Sequence, residues 1–471
     1  MKHYDILLKG GTIIDPINHR SGIMDIGIQG DKIGAVKEFI NPSEADKCFN
    51  ISGLYVMPGI VDMHMHASSK LGGYHAHQML AKAGVTSALD MAGPVDSVLQ
   101  YAQNHGTGLT IAVLDALDAE YNLAGNNPDH FELEAALEYG INHGAIGLKL
   151  MGGNYPLTPT ATRLAIQTAN DRGSYVAFHA ASTNTGSHIE GFHEAITLAG
   201  ENHLHMAHIN SYCRGMIRPW DEETKEAIDA LKAHPNICSE AYLAAINGNV
   251  AKCTNGKPIP VVCNCLRMQH YEETESGLEQ AILDGWAQIN VLEGGAVELR
   301  SGPMAVEYWK QNHTDVGICF SVNPALPRYW LATEKRDDNS FVVDAISTDG
   351  GGIPRNYILK YGLSLVKMQA LTMEEFIRKA SINPGRILGF NNKGHLGEGA
   401  DADITIFDYE RQEPYMSIGS GKIILYRGLV CGSGCNIATT KEGIAHVRSY
   451  NLNPVEIDVS KSAFYDRSKL Y

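Results

Sequence analysis

Met57-Pro58-Gly59-Ile60-Val61-Asp62-Met63-His64-Met65-His66 carries a Pro-Gly turn into an apolar run that closes on two histidines two apart. On a strand, residues i and i+2 point to the same face, so His64 and His66 can aim both imidazoles at one ion. A lone His-x-His pair among 20 histidines carries little weight by itself. This pair, however, ends a strand that reads as buried, where two unpaired imidazoles are costly. The reading is a metal-ligand pair, and it demands further ligands downstream.

Working outward, the rhythm differs on the two sides of Pro58. Residues 1–57 alternate short strands with Gly and Asp/Asn turns, an all-β organisation. From Pro58 onward apolar strands alternate with amphipathic helical stretches, the pattern of a parallel sheet. Strands are predicted at 60–66, 86–92, 109–117, 145–151, 175–180, 203–210, 236–243 and 344–349, with helices such as 131–140, 158–172 and 222–233 between them. Eight such strands predict a (β/α)8 TIM barrel. An insertion over 244–341, with a helical patch at 274–289, follows the seventh strand, where a long segment is placed to cover a site. Beyond an amphipathic helix at 372–388, short strands return at 402–407, 422–426 and 445–450. The predicted division is therefore 1–57 and 391–471 as two parts of a small β-sandwich built from both termini, and 58–390 as the barrel.

Composition narrows the function classes. The 471 residues are 44% hydrophobic and 19% charged, as in a soluble enzyme, and the formal net charge of −15 is spread along the chain. Nucleic acid and anionic membranes are poor partners for such a surface. No apolar run reaches the ~20 residues needed to span a bilayer, and the N-terminus lacks a signal-peptide segment; the expected location is cytoplasmic. Nine cysteines suggest no disulfide framework. Cys253, Cys263 and Cys265 lack a fourth ligand at zinc-ribbon spacing.

In a barrel the active site lies at the carboxyl ends of the strands, and ligand-type residues recur there. Lys149 sits inside the apolar fourth strand, costly unless salt-bridged. His179 ends the fifth. In the sixth, His203 and His205 share one face and His208 the other, which makes His208 the site candidate and His205 a packed or outward residue. Asp349 ends the eighth strand before Gly350-Gly351-Gly352. His75 and His77 repeat the His-x-His spacing, but on a predicted helix, where i and i+2 diverge; a structural or substrate-side role is expected there.

The ordered set His64-x-His66, Lys149, His179, His208 and Asp349 resembles the amidohydrolase superfamily, in its binuclear hydantoinase-like and N-acyl-D-amino-acid deacylase-like branch. The resemblance extends over nearly the whole chain, through Gly10-Gly11-Thr12-Ile13-Ile14-Asp15, Met57-Pro58-Gly59, Asn383-Pro384-Gly385-Arg386-Ile387-Leu388-Gly389 and Gly394-x-Leu396-x-x-Gly399-Ala400-Asp401-Ala402-Asp403.

The resemblance implies two divalent metal ions, with zinc expected. His64, His66 and Asp349 would hold the more buried ion and His179 and His208 the other. Lys149, carboxylated by carbon dioxide, would bridge them as an anion that two cations stabilise. It further implies hydrolysis of a C–N amide bond by a metal-bridging hydroxide, with Asp349 as proton shuttle, and a homo-oligomer. The substrate would be a small-molecule amide: an N-acyl amino acid or a cyclic amide such as a hydantoin. Tyr242 would hydrogen-bond the developing oxyanion. Glu240-Ala241-Tyr242 resembles a D-aminoacylase-like stretch, although Leu243-Ala244 replaces its usual Pro-Tyr. Glu240 and the loop arginines Arg214, Arg218, Arg300 and Arg355 are candidates for substrate contact, an arginine being able to take a carboxylate bidentately. A deaminase of an amino-substituted heterocycle is the alternative, against which Lys149 argues. A non-catalytic metal-binding homologue would lack ligands that are filled here.

Overall fold

The computed structural model describes residues 3–67, 73–119, 121–294 and 296–471. Its centre is a closed parallel barrel. The first seven strands are Ile60–His66, Val85–Asp90, Thr107–Leu117, Gly147–Met151, Tyr175–His179, Leu204–Met206 and Ile237–Tyr242, each hydrogen-bonded to the next. The eighth is split: Ala345–Ser347 pairs with the seventh strand through Tyr242↔Ser347, and Gly350–Gly351 pairs with the first through Gly351↔His66. Thr348 and Asp349 bridge the gap, so Asp349 sits at the seam where the barrel closes. A Cβ on Gly351 would lie 2.1 Å from the His66 carbonyl oxygen at φ +73°, so only glycine permits this approach.

The carboxyl ends carry the site, and the opposite end is plugged. Thr372 opens the helical run Met373–Ile377 with a reciprocal capping box to Glu375, worth about 1 kcal/mol. The run continues through a π-helical turn, Arg378–Ile382, into Asn383–Ile387. This turn sends polar side chains inward: Lys379 Nζ donates to the Val343 carbonyl at 2.7 Å, Ser381 Oγ to Gly59 at 2.6 Å and Asn383 Nδ2 to Asp344 at 3.0 Å. These bonds tie the first and eighth strands together beneath the barrel.

Strands from both ends of the chain form one nine-stranded sheet, joined where Ile404–Asp408 pairs antiparallel with Tyr55–Pro58. It encloses its own core, including Ile13, Ile26, Val56, Ile404 and Ile418. The insertion folds around a separate core of Leu266, Ile282, Trp309 and Phe320, with a four-stranded sheet of its own.

Two expected elements differ. The helix predicted over 274–289 stops at Leu283, because Gly285 takes φ +82°. Ala287–Glu293 then alternates buried and partly exposed residues as a strand. The strand predicted at 445–450 is the short helix Ile444–Ser449, which buries Val447. The tail that holds it does not join the terminal sheet: Gly434–Thr439 adds instead to the third barrel strand.

Candidate active site

The first strand is buried at every position, and it ends with His64 and His66 facing Asp349. His66 Nε2 is 2.9 Å and His64 Nε2 3.3 Å from the same oxygen, Asp349 Oδ1. One donor atom from each of the three residues lies within 4.8 Å of the others. Asp349 reaches this position through a left-handed backbone, φ +49°, with its N–H donated to the His64 carbonyl at 2.7 Å.

His208 arrives by another route than the strand parity expected. The sixth strand ends at Met206, and His208 follows it at φ +35°, leading into the turn Ile209–Tyr212. A backbone reversal, not a strand face, stacks its ring 5.2 Å from that of His64 and sets it edge to face with that of His179 at 4.5 Å. His179 Nε2 meets Ser187 Oγ at 2.7 Å. Lys149 is 1% exposed; its Nζ touches Met91 Sδ at 3.3 Å. The carboxylates of Glu240, Asp349 and Asp90 all act on that ammonium, yet burial outweighs them and pulls it below the ordinary lysine range. His205 is packed inside the barrel, with Nδ1 2.8 Å from Tyr175 Oη.

Glu240 is not a substrate contact. It is fully buried and accepts three hydrogen bonds: from His64 Nδ1 at 2.7 Å, from the His208 backbone N–H at 2.6 Å, and from Ser347 Oγ. With its Nδ1 proton given to Glu240, His64 keeps its Nε2 lone pair toward Asp349. Arg300 is also misassigned: it lies on the exposed hairpin of the insertion, paired with Glu293 at 2.6 Å. Arg218 is occupied by Glu226 and Glu190. Arg355 is 2% exposed and bound to Asp349, which leaves its guanidinium no free edge for a substrate carboxylate. Of the four candidate arginines, Arg214 stays beside the site, donating to Tyr242 Oη at 3.1 Å, Ser211 Oγ at 3.0 Å and Asn323 Oδ1 at 2.8 Å. Tyr242 Oη also accepts from Asn323 Nδ2 at 3.1 Å.

Sequence reasoning missed several supporting residues. Asp62, two residues before His64, accepts from the His64 N–H at 3.2 Å, from the Thr348 N–H at 3.1 Å and from Thr348 Oγ1; its burial pushes the carboxyl up to about 7. Asn356 brackets Gly351 through both side-chain atoms, and Asn323 reaches in from the insertion. Their one signal was closeness in sequence to a named ligand, which Asn323 lacks. His77 is buried in a helix, and burial holds its imidazole down at about 4. All nine cysteines are free, and among the described residues no metal-type cluster includes one.

The donor set fits a divalent metal. Burial holds His64 and His208 well below the usual imidazole range, so both offer lone pairs at neutral pH. His66 Nδ1 and His208 Nδ1 are buried without a hydrogen-bond partner among the described residues. Burial works to raise the Asp349 carboxyl, but the Arg355 guanidinium and His64, His66 and His208 hold it well below the carboxylate range, as an anion. Neutral imidazoles beside a fixed carboxylate are a ligand set for zinc-like ions.

The sequence pattern of the amidohydrolase family matches residues 310–433, across the eighth strand, the capping helix and the return to the terminal sheet. The chain thus carries an amidohydrolase family domain. As an amidohydrolase it is a hydrolase of carbon–nitrogen bonds other than peptide bonds. Among curated relatives, the dihydroorotase of Streptococcus pyogenes serotype M1 is 22% identical over 421 residues, covering 85% of this chain and 90% of the relative. Among solved structures, the N-acyl-D-glutamate deacylase of Bordetella bronchiseptica, complexed with zinc and a phosphonate inhibitor, superposes with a TM-score of 0.68 at 13% identity, covering 93% of this chain and 99% of that one. Dihydropyrimidinase from Brevibacillus agri NCHU1002 superposes with a TM-score of 0.61 at 14% identity, covering 93% and 98%. The amidohydrolase shares the barrel and terminal-sheet fold of these proteins.

Proposed function

We propose that this amidohydrolase cleaves the amide of a small acylated amino acid or a cyclic amide, and that it does so with two divalent ions, zinc first among them. The observation that carries this reading is the convergence of His64, His66 and Asp349 on one point at the barrel seam, with His208, His179 and Lys149 around it. His64, His66 and Asp349 would hold one ion and His179 and His208 the other. Lys149, as a carbamate, would lie between them. Such ions supply Lewis acidity and lower the pKa of bound water. The lysine's lowered proton affinity favours the free amine that reacts with carbon dioxide. The carbamate needs the positive charge of metals, because Glu240, Asp349 and Asp90 face the same atom.

The chain's own residues then do the following. Asp349 Oδ1, the oxygen turned away from Arg355, takes the proton of the attacking water and returns it to the leaving nitrogen. Tyr242 Oη, held by Arg214 and Asn323 and 3.3 Å from Ser211 Oγ, would turn its proton from Ser211 to the carbonyl oxygen as negative charge develops there. Arg214, held at three points, receives the substrate's carboxylate. Nine free cysteines suit a reducing cytoplasm.

The test is metal content per chain after purification without chelator, followed by a panel of N-acyl amino acids, hydantoins and dihydropyrimidines. Two zinc-like ions with turnover on the panel support the reading. One ion, with release of ammonia from amino-substituted heterocycles instead, overturns it in favour of a deaminase.

A further inference from the structure

A second group of metal-type side chains lies on the flank of the barrel. Asp96 in the first turn of helix Val95–His105, His143 just past helix His130–Asn142, and His446 on helix Ile444–Ser449 bring one donor atom each within 4.8 Å of one another. Asp96 Oδ1 is 2.7 Å from His446 Nε2. The His143 and His446 rings meet edge to face at 4.2 Å.

Two features go beyond an ion pair. His143 Nδ1 is 2.7 Å from the Tyr139 carbonyl oxygen, which can only accept. Nδ1 therefore carries the proton and Nε2 keeps a lone pair, the arrangement in which a backbone carbonyl fixes the tautomer of a metal-ligating histidine. The Asp96 carboxylate is oriented by two phenols, Tyr139 Oη at 2.9 Å and Tyr450 Oη at 3.2 Å, as ligating carboxylates commonly are. All three side chains are partly exposed, which leaves an entry path and room for a solvent ligand.

We propose that Asp96, His143 and His446 form a separate zinc(II) site that clips the C-terminal tail to the barrel. Two imidazoles, one carboxylate and one water complete the tetrahedral set that zinc takes. The ligands come from three segments, Asp96 and His446 standing 350 positions apart in sequence, so the ion ties the tail to two barrel helices and stabilises the folded chain by binding it selectively. The tail already adds a strand to the barrel through Asn436↔Thr110, and the zinc would hold its second contact.

The full chain and a His143→Ala, His446→Ala double variant are loaded with zinc at pH 8, dialysed, and compared by elemental analysis and thermal melting. The expected result is one zinc fewer per chain in the variant, and a zinc-dependent rise in Tm that only the full chain shows. Equal zinc in both overturns the site, whatever the barrel mouth holds, because only the difference is read. Diethyl pyrocarbonate labelling of the unaltered protein, read by peptide mass spectrometry, needs no variant. Zinc should protect His143 and His446 several-fold, and unchanged labelling of both overturns the proposal.

Discussion

Arg355 grips Asp349 twice, its Nη2 2.6 Å from the carboxylate Oδ2 and its Nε donating to the carbonyl of the same residue at 2.6 Å. Nη1 anchors on the Ile246 carbonyl at 3.3 Å, and the guanidinium lies over the Tyr242 ring at 4.7 Å. The arginine thus orients the proton-accepting carboxylate and leaves Oδ1 facing the histidines. Arg355→Lys keeps the charge and loses the planar fork. Turnover is expected to fall roughly 10- to 100-fold, the worth of one charge-assisted contact. KM should change little, which steady-state kinetics would show; a large rise in KM with intact turnover would place Arg355 on the substrate instead.

Glu240 fixes the tautomer of His64 from beneath. Glu240→Gln keeps the shape but presents one acceptor and one amide donor to three donors. Metal affinity is expected to drop by roughly 10- to 100-fold, measured by competition with a chelator, while the fold by circular dichroism stays intact.

Lys149→Ala removes the bridging group of the proposed centre. Elemental analysis should find less than the two ions per chain expected of the parent, and turnover should vanish. Full activity with unchanged metal content would eliminate the carbamate.

Arg214 separates recognition from chemistry. Arg214→Ala is expected to raise KM at least ~10-fold for substrates bearing a carboxylate. It should affect uncharged cyclic amides much less. Parallel kinetics on an N-acyl amino acid and an unsubstituted cyclic amide give the comparison.

Asp115 makes stability depend on pH. Its carboxyl is fully buried, accepts the Val95 N–H at 2.9 Å, and is pushed by burial up to about 7. A carboxyl whose folded pKa is raised holds its proton more tightly in the folded state. Its contribution is complete below the unfolded value of about 4 and is lost as pH rises to about 7, a span of up to ~4 kcal/mol. Asp115→Asn cannot ionise and keeps an acceptor for Val95. In urea unfolding it should be more stable than the parent at pH 8, with the gap shrinking as pH approaches 5.

The gap between sequence and structure is visible at particular residues. His64 and His66 are legible because strand periodicity alone sets their common face, and Lys149 stands out because an isolated cation in an apolar strand needs an explanation. His208 was named for a reason the structure replaces: the strand stops at Met206, and a left-handed turn delivers the ring. Glu240 and Arg355 were both named as substrate contacts, and both face other protein groups: His64 and His208, more than 30 residues away, set the direction of Glu240, while Asp349, six residues away, and the distant Ile246 carbonyl set that of Arg355. The helix Ile444–Ser449 was hidden because six residues show too little periodicity to separate helix from strand.

The sequence by itself determined the alternation of strand and helix, the apolar faces, and the chain order of the ligand-type residues, since these depend on local periodicity and composition. Only the tertiary structure decided which oxygen of Asp349 faces the histidines, which arginine remains near the mouth, and that Asp96, His143 and His446 meet. Each of these requires segments far apart in the chain to be brought within a few ångströms. That closeness comes from closing the barrel at the Thr348-Asp349 seam and docking the tail on its flank, and no local pattern encodes it.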